Sequence, residues 1–360
     1  PEKLVFFHTL RFIHKSVVNK LEETSCKSMK ERKPIDIKRE SAGSFTIGTE
    51  QDGAIVEMFN FDGKLICIKE RAIYEFMFAD KIDPERTNIN LHPNAQKLII
   101  NQGTESELVS RIFITAKRLL KKEYLKPEID IVKALNLVLE ALQEMAVLEK
   151  EVDEYLELEE KENAEYEENK VKNTDFKIPS ISDVETRCKT IYQKADHIEQ
   201  IILGLIKVFY PNDKNKNFEI FAEFLKDKYG DEDRFYLFVE EVRPFLLLIR
   251  SLRNCLDHRL PDVIVHNYEL LPSADINTPS IELDYRGSKL NRNSLFETLT
   301  VTKKNLIMIF EQMVAYLSDK NVRANSPNRV NLIPEDIRTN KFAKYSFWSP
   351  FGKGGFYHQK

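Results

Sequence analysis

The chain has 360 residues, of which 42% are apolar and 31% charged, and its formal net charge is −4. It is long enough for two or three domains and apolar enough to bury a core. No apolar run reaches the roughly 18–20 residues of a membrane span, and residues 1–8 lack the basic–apolar–small pattern of a signal peptide, so the expectation is a cytoplasmic protein with no membrane contact.

Cys26, Cys67, Cys188 and Cys255 form no CxxC pair and read as reduced thiols. Glycine is scarce, at 11 residues. GxGxxG, GxxxxGK[ST] and GxSxG are all absent, which argues against a dinucleotide fold, a Walker-type NTPase and an α/β-hydrolase. His8, His14, His92, His197 and His266 form no HExxH or other tight cluster, so neither metal nor cofactor is expected. Charge is uneven. From Arg243 onward there are 17 Lys and Arg against 11 Asp and Glu, a balance of +6, while the preceding residues balance at −10. A basic last third suits an anionic partner, although charge varies along any chain.

In chain order, residues 4–23 have the apolar spacing of an amphipathic helix. A polar loop, Lys27–Ser44, follows. Residues 45–70 read as three strands, beginning at Phe45, Ala54 and Lys64, joined by Asp52-Gly53 and Asp62-Gly63 turns. A short helix is expected at 73–78. Residues 105–125 form a helix capped by Ser106. The next, 128–168, begins apolar and becomes strongly acidic, as a solvated helix end or linker would; mimicry of nucleic acid, or self-masking of a basic site, is the sharper alternative. Asn173–Ser180 reads as a boundary. Ser182 with Glu185 has capping-box spacing for a helix that stops at Pro211. Residues 217–229 form a helix ending at Gly230. Asp231 or Asp233 caps another that continues, despite Pro244, to His258. Two strands at 263–271 and 281–285 precede a last helix at 294–318. The basic and aromatic tail from Lys341 suits either base stacking or an arm packed on its own domain.

The stretch 246–258 draws the most chemical interest. Leu246, Leu247, Ile249, Leu252 and Leu256 recur at helical spacing, while Arg250, Arg253, Asn254, Asp257 and His258 lie between or beyond them. His can exchange a proton near neutral pH, and Arg matches two phosphate oxygens with a planar fork. On an ideal helix Arg253 and His258 lie about 140° apart and share no face. They converge only where the last turn unwinds or where two copies meet. Asn254 and His258 do share a face, so Asn254 would orient the His258 ring. Two simpler roles compete: an Arg253–Asp257 salt bridge at i, i+4, and His258 as a cation favoured by the helix C-terminus.

Arg253-Asn-Cys-Leu-Asp-His258, at the end of a long helix with a final helix after it, resembles the Arg-polar-x3-His signature of the HEPN superfamily over about residues 181–318. The resemblance implies a metal-independent endoribonuclease of toxin–antitoxin or phage-defence type. It assigns catalysis to Arg253, Asn254 and His258. Arg250, one turn before Asn254 on the same side, extends the positive surface, and it and Arg259 are the candidate RNA-binding residues. It also implies a homodimer with a composite cleft and, as a further partner, an antitoxin or regulatory protein. The alternative is a non-catalytic HEPN-type module binding RNA, nucleotide or a protein; a third reading is a purely structural assembly protein. The expected fold is mainly α (α+β): an N-terminal α+β module (1–127), a long acidic helix and linker (128–180), a HEPN-like helical domain with a β-hairpin insertion (181–320) and a tail (321–360).

Overall fold

The computed structural model describes residues 32–40, 46–172, 177–211, 216–273 and 275–358. The chain is of α+β class, about 51% helix and 20% strand. The helix expected at 4–23 lies outside the described residues. The chain divides into two units, residues 1–46 with 77–95, and residues 47–76 with 96–360.

In the first unit, part of the expected polar loop is a helix, α1 (Pro34–Glu40). Pro34 takes its first position, where a missing N–H costs nothing. Arg39 is buried and its Nη2 donates to Asp83 at 3.0 Å. Asp83 follows the short helix α2 (Ala79–Ile82) and also accepts from the N–H groups of Thr87 and Asn88. Arg86 donates to Asp36 at 2.8 Å. Charge pairing thus organises a segment with few apolar residues.

Strands β1 (Ile55–Phe61), β2 (Lys64–Lys69), β3 (Ile73–Phe78) and β4 (Asn94–Ile100) form one sheet in that order. The Asp62-Gly63 turn forms as expected, both residues having positive φ (47° and 66°), the combination a tight hairpin needs. Three expectations fail. Asp52 closes a short 3₁₀ turn rather than a hairpin, and Thr46-Ile47 is not a strand. Residues 73–78 are strand, because Ile73–Phe76 pair with Leu65–Ile68 of β2. The inner face of β2, Ile66 and Ile68, joins Ile73 in a core with Leu108, Ile112 and Phe113. Those three belong to α3 (residues 107–119), which Ser106 caps by accepting from the Val109 N–H and which contains a π turn at Ser110–Ile114.

Helix α4 (Ile131–Lys172) is 42 residues, about 63 Å long. Its first half is buried through Val138, Leu142, Met145 and Val152. Its acidic half is mostly exposed, but Glu159 is buried and accepts from the Tyr155 hydroxyl at 2.7 Å. Helices α5 (Val184–Phe209), α6 (Phe218–Tyr229), α7 (Arg234–His258) and α8 (Leu295–Lys320) complete the helical core. Ser182 does not cap α5; Asp183 holds that place in a left-handed conformation. The entry is set instead by Asn267, whose Oδ1 accepts from the Ile181 N–H at 3.1 Å.

Between α7 and α8 lie β5 (Val263–His266), the short pair β6 (Glu269–Leu270) and β7 (Ile276–Asn277), β8 (Ser280–Tyr285) and β9 (Ser288–Ser294), with sheet order β5-β8-β9. The tail is a packed arm: β10 (Arg329–Leu332), β11 (Tyr345–Ser349) and β12 (Phe356–His358) form a sheet, and Phe347 is buried 4.6 Å from the Tyr124 ring. Among the described residues no helix is long and apolar enough to cross a membrane.

Candidate functional site

Helix α7 begins where Asp233 accepts from the Phe235 N–H at 3.0 Å. It runs through Pro244, whose ring removes one backbone donor in mid-helix. It ends at Arg259, left-handed at φ 51°, with the Leu260 N–H closing onto the Cys255 carbonyl at 2.9 Å. Pro261 then prevents continuation. One face of the helix is buried through Leu246, Ile249, Leu252 and Leu256. Ser251 bonds Ser288 of β9 at 2.9 Å on the same packed side.

A seam of opposite charges runs between α5 and α7. Glu199, 2% exposed, receives both arms of the Arg250 fork, with Nε at 3.2 Å from Oε2 and Nη2 on Oε1. Burial pushes the Glu199 carboxyl up to about 7; Arg250 pulls the other way, and the neighbouring charge of Asp196 adds to the rise. Arg253 Nε lies 3.0 Å from Asp257 Oδ2 and 3.7 Å from Asp196 Oδ2. These contacts are ionic, since Nε makes no aligned hydrogen bond. Arg253 Nη1 donates to Asn254 Oδ1 at 3.0 Å. Asp257 also accepts from Gln193 at 2.6 Å and faces Lys189 at 3.4 Å. Burial would raise its pKa, but the Gln193 hydrogen bond and the charges of Arg253 and Lys189 outweigh that and hold it low.

The five residues singled out in the sequence therefore meet different surroundings. Arg250 and Arg253 are half-buried and turned onto acids of α5. Asn254 is engaged by Arg253, so it does not orient the His258 ring as expected. His258 and Arg259 are exposed. Among the described residues neither side chain has a hydrogen bond or ion pair, and none joins Arg253 to His258. The Arg253–Asp257 salt bridge at i, i+4 is formed.

Sequence reasoning passed over Asp196 and Glu199. The signal was there: both interrupt the apolar run of Ile191, Ala195, Ile198 and Ile202 on one helix. It also passed over the open cleft of about 320 Å³ where Glu199 and Arg250 meet Arg243, Leu247 and the start of α6. Among the described residues no group of three or more His, Cys, Asp or Glu is arranged to hold a metal ion. No family model matches the chain, and neither a curated protein nor a solved structure is detectably similar to it.

Proposed function

We propose that the chain is a HEPN-type endoribonuclease that works as a homodimer. The observation that carries this reading is His258 itself. It is exposed, without a protein partner among the described residues, at the end of a 25-residue helix held rigid by its apolar face, with the Arg253-x4-His258 motif intact. In RNA cleavage through the ribose, the 2′-hydroxyl loses its proton and attacks phosphorus, and the 5′-oxygen leaves with a proton. An imidazole can serve at either end of that transfer. Arg253 supplies charge for the developing phosphorane. Because one helix separates Arg253 from His258, two copies related by a two-fold axis are needed to bring one chain's arginine to the other's histidine. Such a nuclease would restrict growth in a toxin–antitoxin or phage-defence setting, with an antitoxin or regulatory protein as partner.

A second reading has its own observation. Asp196 and Asp257 already face Arg253, and Glu199 holds Arg250, so phosphate must compete with three carboxylates. That favours a non-catalytic HEPN-type module. RNA cleavage in EDTA separates the two: cleavage lost in His258→Ala supports the nuclease, and binding without cleavage supports the module.

A further inference from the structure

A stripe of side chains runs along the accessible side of α7. Arg243, Leu247, Arg250, Asn254 and His258 follow at steps of four, three, four and four, so they lie on one face. All five are exposed or half-buried. Arg243 to His258 spans about 22 Å. The end remote from His258 borders the cleft between α5, α6 and α7, whose volume of about 320 Å³ is at the lower end of the range for small-molecule sites.

The cleft is lined by both apolar and charged side chains. Pro244 and Leu247 of α7, with the edge of the largely buried Phe218 of α6, give it apolar surface. Leu247 stands 50% exposed, so a ligand lying on it would remove apolar surface from water. Donors lie among them, with the Glu219 carboxylate also in the lining. Arg243 commits one nitrogen to Glu240 at 3.1 Å, and Arg250 commits Nε and Nη2 to Glu199; their remaining N–H groups make no hydrogen bond among the described residues. Asn217 caps α6 through its oxygen, at 2.9 Å from the Ile220 nitrogen, which leaves its amide NH₂ to donate. Glu199 is spent on Arg250 beneath them. Apolar surface interleaved with two guanidinium groups suits a ring that carries an anion, which competes there with the carboxylates of Glu199 and Glu219.

We propose that this cleft is a nucleotide subsite, taking the base of one RNA residue against Phe218, Pro244 and Leu247 and its phosphate on Arg243 and Arg250. The strand that carries this residue rests on the RNA reading above; the nucleotide chemistry does not. Arg250 is eight residues, about 12 Å, from His258, so the subsite holds a residue away from the scissile bond rather than the bond itself. It therefore contributes affinity and sequence preference.

The test uses the full chain carrying His258→Ala, so that RNA is not consumed. Binding of a fluorescent RNA oligonucleotide and competition by the four ribonucleoside 5′-monophosphates are measured, alone and with Arg243→Glu or Leu247→Glu added. Both added positions are solvent-accessible, and a melt confirms folding. The expected result is at least a ten-fold loss of RNA affinity in each variant, with monophosphates competing only against the parent. Loss of RNA affinity without monophosphate competition assigns the cleft to a residue within a strand. Monophosphate binding that Arg243→Glu abolishes, in a protein that neither binds nor cleaves RNA, keeps the nucleotide site and removes the nuclease reading. RNA and monophosphate affinities unchanged by both substitutions overturn the subsite. If the His258 chain then still cleaves RNA in EDTA with an unchanged KM, the nuclease reading survives without it.

Discussion

Two stretches of α7 carry similar side chains and live in different surroundings. Between Arg243 and Arg253 the arginines that face α5 fold back onto Asp196 and Glu199. From Asn254 to Arg259 the helix end projects His258 and Arg259 into solvent. What separates them is the neighbouring helix: opposite the first stretch α5 supplies carboxylates, and beyond it α7 stops. A basic residue in the sequence is therefore no measure of free positive charge. The seam between α5 and α7 ties its arginines to buried carboxylates, and the helix end leaves His258 and Arg259 open to solvent.

That contrast can be broken most directly at the helix end. His258→Ala should lower RNA cleavage by at least about 100-fold, the usual contribution of a general acid or base, and leave the melting temperature unchanged. Full activity in the folded variant would make the exposed end inert. On the seam the opposite is expected. Arg250→Ala removes both hydrogen bonds to the buried Glu199 carboxyl, which then takes up a proton, and should cost about 1–3 kcal/mol in chemical denaturation, while Arg250→Leu with Glu199→Leu should recover most of it. An unchanged midpoint for the single variant would show that the pair does not support the fold.

The seam also predicts a pH dependence. The folded Glu199 carboxyl, at about 7, lies above the ordinary carboxylate range, so between the two the native chain holds a proton that the unfolded chain has lost. Stability should fall as pH rises through that window, by up to about 2–3 kcal/mol from this group. Glu159 and Glu311 are raised by burial as well, so the Glu199 share is the difference between the parent and Glu199→Gln. Identical slopes for the two would contradict the buried carboxyl. The smallest effect should come where the two stretches meet. Asp257→Asn removes one half-screened partner of Arg253, costs about 0.5 kcal/mol, and should tighten RNA binding about two- to three-fold by freeing the guanidinium. Weaker binding would mean that Asp257 positions Arg253 rather than masks it.

The helices were the legible part of the fold. Pro211 and Gly230 stop α5 and α6, Asp233 caps α7, and apolar spacing placed α4 and α8. The Arg253–Asp257 pair and the outward position of His258 were legible for the same reason. Residues 73–78 were not: their aromatic-rich run fits a short helix or a strand, and pairing with β2 decided for strand. Nor was the start of α5, where the capping-box pattern at Ser182 yields to Asn267, 86 residues away from Ile181.

What the sequence determined by itself is thus what depends on neighbours three or four residues apart: helix spans, the caps of α3 and α7, and the i, i+4 pairing of Arg253 with Asp257. What only the tertiary structure decided is which of those charges are free. Glu199 and Arg250 are 51 residues apart, and no local pattern links them. They pair because the apolar faces of α5 and α7 pack together, and a carboxylate caught in that packing needs a cation at hydrogen-bond distance.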